Sequence, residues 1–238
     1  MWEINKTEFS VSSPIFIEGL PGIGNVGKIA IDYIIEKLDA KRIASFFSTS
    51  LPNSVFVTEN NLVSLPLIEV YHAKLKGKDF LFLTGDTQPS DEQASYELCY
   101  TLLDFCKECG VQEIVTTGGI GLESVPKNPV VFVTGNTTEF CSSFDANSEI
   151  YGVVGPIVGV SGLLLGLASV PAAGLLVQTY AHPVYVGLQE AKELLLVLEK
   201  KYGISISHDE LDEEISQVRQ KKKSKLQSKY STDTQYIG

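Results

Sequence analysis

The stretch Ile15-Phe16-Ile17-Glu18-Gly19-Leu20-Pro21-Gly22-Ile23-Gly24-Asn25-Val26-Gly27-Lys28 constrains the fold more than any other. An apolar run breaks into glycines and restarts as Ile29-Ala30-Ile31-Asp32-Tyr33-Ile34-Ile35, which has the apolar content of a helix. Strand, glycine turn and helix in this order open an α/β domain. The same residues satisfy one nucleotide-binding pattern and nearly satisfy another. Gly22, Gly24 and Gly27 spell G-x-G-x-x-G, and Gly22 to Lys28 spells G-x-x-x-x-G-K. A dinucleotide site also needs an acid about twenty positions on to hold the ribose hydroxyls. That region reads Ser45-Phe46-Phe47-Ser48-Thr49-Ser50. A phosphate loop needs Ser or Thr after its lysine to hold magnesium, and Ile29 stands there. The expected role of these glycines is therefore a tight turn and close packing of the helix on the sheet.

The rest of the chain continues the alternation. A helix is expected from Lys28 to about Leu38 and a strand at Arg42 to Thr49. A hairpin excursion with antiparallel pairing follows at Leu51 to Tyr71, where Pro52, Asn60-Asn61 and Pro66 break short apolar runs. Asp79 to Gly85 contains the continuous apolar run of a strand covered on both faces. The loop Gly85-Asp86-Thr87-Gln88-Pro89-Ser90-Asp91 ends in Ser90 or Asp91, either able to cap a helix running to about Cys109. Glu113 to Thr117 reads as a strand leaving through a second glycine turn, Gly118-Gly119-Ile120-Gly121, and Val130 to Thr134 as a strand ending in Gly135-Asn136. A buried helix (Val158 to Ala168), a strand (Gly174 to Gln178) and an amphipathic helix (Tyr185 to Tyr202) complete the body. The expectation is an α/β fold with a mainly parallel central sheet and helices on both faces, over residues 1–206. Ligands of such sheets sit beyond the carboxyl ends of the strands. The candidate loops are Gly19 to Gly27, Gly85 to Ser90, Gly118 to Gly121 and Gly135 to Thr138.

Several function classes are disfavoured. A net charge of -10 argues against a surface built to grip a phosphate backbone, so nucleic acid is not an expected partner. Met1 to Ser13 has charged residues and no apolar core, and the four cysteines read as free thiols in a cytoplasmic protein. Cys106 and Cys109 have C-x-x-C spacing but lie at the end of a helix, whereas thiolates are stabilised at helix beginnings. No second pair completes a zinc site, and neither metal nor cofactor is expected. No Asp, Glu, Lys or Arg lies between Glu149 and Glu190, but Pro156, Pro171 and repeated glycines interrupt this stretch, so buried elements are expected rather than a membrane span. Gly159-Val160-Ser161-Gly162-Leu163 lacks the last glycine of a hydrolase elbow, and neither Ser161 nor His182 has an evident acid partner. His72 and His208 receive no role.

From Ser207 the composition changes, and residues 207–238 are expected to form a charged helical extension and a flexible tail. Leu211, Ile215 and Val218 fall on one face of an acidic helix, followed by Arg219, Lys221, Lys222, Lys223, Lys225 and Lys229 with no acid among them.

Together these pieces resemble the proteasome assembly chaperone family, in particular the branch containing the second eukaryotic chaperone and its archaeal relatives. The resemblance runs from about Pro14 to Ser205. It rests on Glu18 to Gly27, with Gly19, Pro21, Gly22, Gly24, Asn25 and Gly27 as turn residues, on Gly85 to Pro89 with Gln88 and Pro89, and on Thr117 to Gly121 with Gly118 and Gly119. Gly135-Asn136, Gly159 to Leu164 and Ala172 to Tyr180 also fit. It implies a phosphorylase- or hydrolase-like α/β fold without catalytic function, self-association, and proteasome α subunits as partners. Docking members of the family end in a hydrophobic residue, a tyrosine and one further residue. Here Gln235-Tyr236-Ile237-Gly238 puts Tyr236 one place early and Ile237 in the tyrosine position. The partner-binding residues implied for the extension are Leu211, Ile215, Val218, Tyr236, Ile237 and Gly238. A small-molecule or nucleoside binder, or a hydrolytic enzyme, using the loops at the carboxyl edge of the sheet is the alternative, and a scaffold for another complex also stays open.

Overall fold

The computed structural model describes residues 2–58 and 60–218. In chain order the first unit contains β1 (Glu3–Lys6), β2 (Ile15–Glu18), a 3-10 turn (Ile23–Asn25), α1 (Val26–Lys37), β3 (Lys41–Phe47), β4 (Phe56–Val57), β5 (Val63–Ser64), β6 (Ile68–Leu75) and β7 (Lys78–Gly85). It continues with α2 (Glu92–Glu108), β8 (Glu113–Leu122), β9 (Val131–Gly135), α3 (Thr138–Cys141), α4 (Val160–Leu167), β10 (Ala172–Tyr180) and α5 (Leu188–Tyr202). This unit is Met1–Ser205, and a second begins at Ile206. The described part of the second unit contains a helix over 209–218.

Eight strands form one sheet in the order β1-β3-β6-β7-β2-β8-β10-β9. The central strands β7, β2, β8 and β10 are parallel, and antiparallel pairs extend the sheet on both sides. All four residues of β2 are buried, as befits a strand covered on both faces. Side chains alternate across it. Phe16 aligns with Leu81 and Ile114 and packs with Leu98, Leu102 and Phe105 of α2 and Leu164 of α4. Ile17 aligns with Phe82 and Val115. On that opposite face lie α1, which contacts β7, β2 and β8, and α5, which contacts β10 and α1. Tyr202 of α5 meets Phe80 edge to face at 5.7 Å.

The chain departs from the sequence reading in four places. Gly118, Gly119 and Gly121 are not a turn: β8 runs through them to Leu122, held extended by its register with β10 up to Tyr180. The excursion is limited to the small β4–β5 hairpin, and Ile68 already belongs to the main sheet, paired with Phe46 on one side and Gly85 on the other. β1 is an additional edge strand on β3. Finally, α5 starts at Leu188 rather than Tyr185, and α4 at Val160 rather than Val158. The apolar stretch 152–177 is divided between α4, β10 and the loop before them. Among the described residues no helix is long and apolar enough to cross a membrane.

The β2–α1 connection is a glycine turn, as its sequence suggests. Gly24 has φ 67° and Asn25 has φ 53°, the left-handed region that glycine and asparagine tolerate best. Gly27, in the first turn of α1, lies so close to β8 that a Cβ there would meet Thr117 Oγ1 at 2.5 Å and Thr117 O at 2.8 Å. Gly166 in α4 faces open space instead. Replacing Gly166 with Ala is therefore expected to stabilise by about 0.5–1 kcal/mol, the usual gain in a helix. Gly27→Ala is expected to reverse the sign and cost about 1–3 kcal/mol through overpacking, and urea midpoints of the two variants check this.

Candidate functional site

Three of the four segments expected at the carboxyl edge of the parallel strands meet, whereas Gly135 to Thr138 follows the antiparallel β9 and lies beside the start of β10 instead. Pro21, in the β2–α1 turn, accepts a hydrogen bond through its carbonyl from Gln88 Nε2 at 2.6 Å. The other end of the same amide, Gln88 Oε1, accepts from the Val160 N–H at 3.2 Å, at the start of α4. Gln88 thus ties three segments of distant sequence, and Pro89 follows it in the loop before Asp91 caps α2 by accepting from Ala94 N at 2.8 Å. Between the tied segments lies a cavity of about 430 Å³ lined by Gly22, Ile23, Gly27, Gln88, Thr117 to Gly121, the 153–158 loop and Ser161. No Asp, Glu, Lys, Arg or His lines it.

Behind this wall is a buried acid. Glu18 is fully buried; its Oε1 accepts from the Leu20 N–H at 2.8 Å, and its backbone carbonyl accepts from Thr117 Oγ1 at 2.8 Å. Oε2 has no hydrogen bond of good geometry. Burial pushes the Glu18 carboxyl up to about 7, while the Leu20 N–H, the Ser161 hydroxyl and the Thr117 backbone pull it the other way. A second buried acid, Glu190, accepts from Tyr185 OH at 2.9 Å behind the Gly24–Gly187 backbone contact.

Of the turn residues singled out by sequence, Gly22, Gly27, Gln88, Gly118 and Gly119 line one cavity. Gly19 packs under Ile31 of α1 and Gly24 against Thr179. Asn25 shapes the turn, its N–H donating to Gly22 O. Asn136 is elsewhere: its side chain donates to Val170 O and accepts from Ala172 N, both at 2.8 Å, fixing the entry to β10. Lys28, the lysine of the apparent phosphate loop, is held by Asp32 at 2.8 Å and lies outside the cavity lining. His182 stacks on Tyr180 and does not approach Ser161's cavity. Burial raises the Cys106 and Cys109 thiols, the direction opposite to an activated pair. In the second unit Leu211 and Ile215 are buried and Val218 is exposed; Tyr236, Ile237 and Gly238 lie outside the described residues. Sequence reasoning carried Glu18 only as part of the glycine turn, and the one available signal was a charged residue closing an otherwise apolar strand. It found no partner for Ser161, since contact with Glu18 depends on a separation of more than a hundred residues.

Fold and site together define an α/β protein whose glycine-rich segments frame an uncharged cavity rather than a phosphate or metal centre. The model of the PAC2 family matches residues 16–226, and the chain belongs to that family. The structure of PbaB from Pyrococcus furiosus, described as an archaeal proteasome activator, is 30% identical, with a TM-score of 0.84 over 94% of this chain and 98% of that one. PbaA of the same organism, described as an archaeal homolog of proteasome-assembly chaperone, is 22% identical with a TM-score of 0.71 over 92% and 94%, a likeness of fold. The uncharacterized protein MJ1210 of Methanocaldococcus jannaschii is 24% identical over 88% of this chain and 82% of its own length.

Glu18 makes a pH prediction. Its folded value of about 7 lies above the ordinary 4.5, so the folded state keeps a proton that the unfolded chain has released. Stability from this group is full below about pH 4.5 and falls as pH rises towards 7, by about 3 kcal/mol in all. Glu18→Gln is expected to flatten the pH profile of the urea midpoint across that window and to exceed the parent chain above it. A profile parallel to that of the parent would contradict the assignment.

Proposed function

We propose that this chain is a non-enzymatic, homo-oligomeric assembly factor of the proteasome that binds α subunits. The observation that carries this reading is the match to PbaB in both sequence and fold along nearly the whole of both chains. Self-association is supported by the β4–β5 hairpin, where Val57 and Val63 face each other across the strands yet are 71% and 68% exposed, with Phe56, Leu62 and Leu65 also exposed. Apolar surface gathered on a projecting hairpin is the kind that a second copy covers. The acidic body contrasts with the basic run from Arg219 to Lys229. A body surface and a tethered C-terminal segment engaging one partner would make the second contact effectively intramolecular, so a weak tail still contributes. Val218 is the exposed member of the apolar positions on the 209–218 helix and the one a partner could cover without opening the helix.

Capture of purified proteasome α subunits from the same organism tests the partner. The full chain is expected to retain them, and truncation after Ile206 to lose most of that retention; absence of capture by the full chain would overturn the reading. For self-association, light scattering is expected to give a multiple of 26.0 kDa. Val57→Glu together with Val63→Glu is expected to reduce that mass to the monomer's, because like charges then face each other in the apolar patch.

A further inference from the structure

The cavity at the sheet edge contains a feature that self-association and α-subunit binding leave unused. β2 ends at Glu18, opposite Thr116, and leaves the sheet. β8 runs on from Thr117 to Leu122, paired there with β10 on its other side only. Among the described residues the backbone of Thr117 is engaged by the Glu18 carboxyl, and no partner on the β2 side follows for Gly118 to Gly121. The amide edge that would have continued to β2 is therefore open where it lines the cavity. Glycine weakens a strand and is retained where a ligand or another backbone comes close. At Gly119 such an approach is visible, since a Cβ would meet Ile23 O at 2.5 Å. With Gly118, Gly119 and Gly121 in the strand, little side chain stands over the edge.

The remaining walls decide what could lie against it. Val26, Ile120, Val154, Ile157 and Leu176 make them largely apolar, and both ends of the Gln88 amide are already engaged. With no charged side chain in the lining, an anion or cation would lose its hydration without gaining a partner. The polar groups on offer are the peptide edge and the Ser161 hydroxyl. That hydroxyl lines the cavity, and its lone pairs can accept from a ligand N–H. A strand edge presents N–H and C=O groups side by side, so its complement is a molecule with a donor and an acceptor side by side. The volume of about 430 Å³ is that of a small-molecule site.

We propose that this cavity binds an uncharged, mostly apolar small molecule bearing a cis-amide, paired with the open β8 edge at Gly118 to Gly121 and with Ser161. Oxindole is a suitable probe, because it is a compact bicyclic lactam with both amide atoms on one side. Titrated into the isotope-labelled full chain, it is expected to give saturable amide shifts at Gly118, Gly119, Gly121 and Ser161, with a Kd below about 1 mM. N-methyloxindole, which lacks the donor, and indole-2-carboxylate, which carries a charge, are expected to bind at least about tenfold more weakly. Gly22 has an extended backbone and a Cβ there would meet nothing within 4 Å, so Gly22→Leu is expected to fill the cavity and abolish the shifts while keeping the fold. Ser161→Ala, a smaller change, is expected to weaken oxindole by about fivefold or more without altering the thermal midpoint by more than a few degrees. No saturable shift in the parent chain, equal binding of N-methyloxindole, an unaffected Ser161→Ala variant, or tighter binding of a capped valine tripeptide along the same edge would each overturn the proposal.

Discussion

The close approach of the β2–α1 turn to β8 is the constraint on which the rest of the structure depends. Gly27 touches Thr117 and Gly119 touches the Ile23 carbonyl at separations that leave no room for a Cβ. With α1 pressed this closely, its buried residues Ala30, Ile31 and Ile34 cover the centre of the sheet, and α5 packs beside it. The same contact fixes where the turn stands over the end of β2, and so where the edge of β8 is left open. One packing requirement thus positions both the core and the cavity.

Around that contact the chain accepts an unfavourable group. Glu18 occupies the last place of a fully buried strand, and its carboxyl is only half satisfied by hydrogen bonds. A valine or isoleucine would suit the strand better. The carboxyl instead organises the start of the turn through the Leu20 N–H and lies beside Ser161 on α4, so the two segments flanking the cavity share one polar centre. Buried polar groups of this kind cost stability and commonly mark functional positions.

Much of the fold was legible because it is written locally. The run Phe80-Leu81-Phe82-Leu83 is a buried strand whatever surrounds it, and Asp91 caps α2 as its place before the helix suggests. The mistakes came where distant pairing overrides local signals. Gly118-Gly119-Ile120-Gly121 has turn composition, and only the nine-residue register with β10 makes it strand. Glu3 to Lys6 is exposed and, apart from Ile4, polar, so little in its own sequence announces an edge strand. The candidate site was half legible: its glycines and Gln88 stood out as separate loops, but their convergence with Ser161 and Glu18 is a property of the sheet order.

The glycine turn therefore acts as a packing device that frames an uncharged cavity, in a chain whose sequence imitates a nucleotide loop. Isothermal titration of the full chain with magnesium-ATP and with NAD tests this most directly. No saturable heat is expected for either, since Lys28 is engaged with Asp32 and no hydroxyl or acid completes either motif. Saturable binding of either nucleotide, lost on substitution of Lys28, would contradict it.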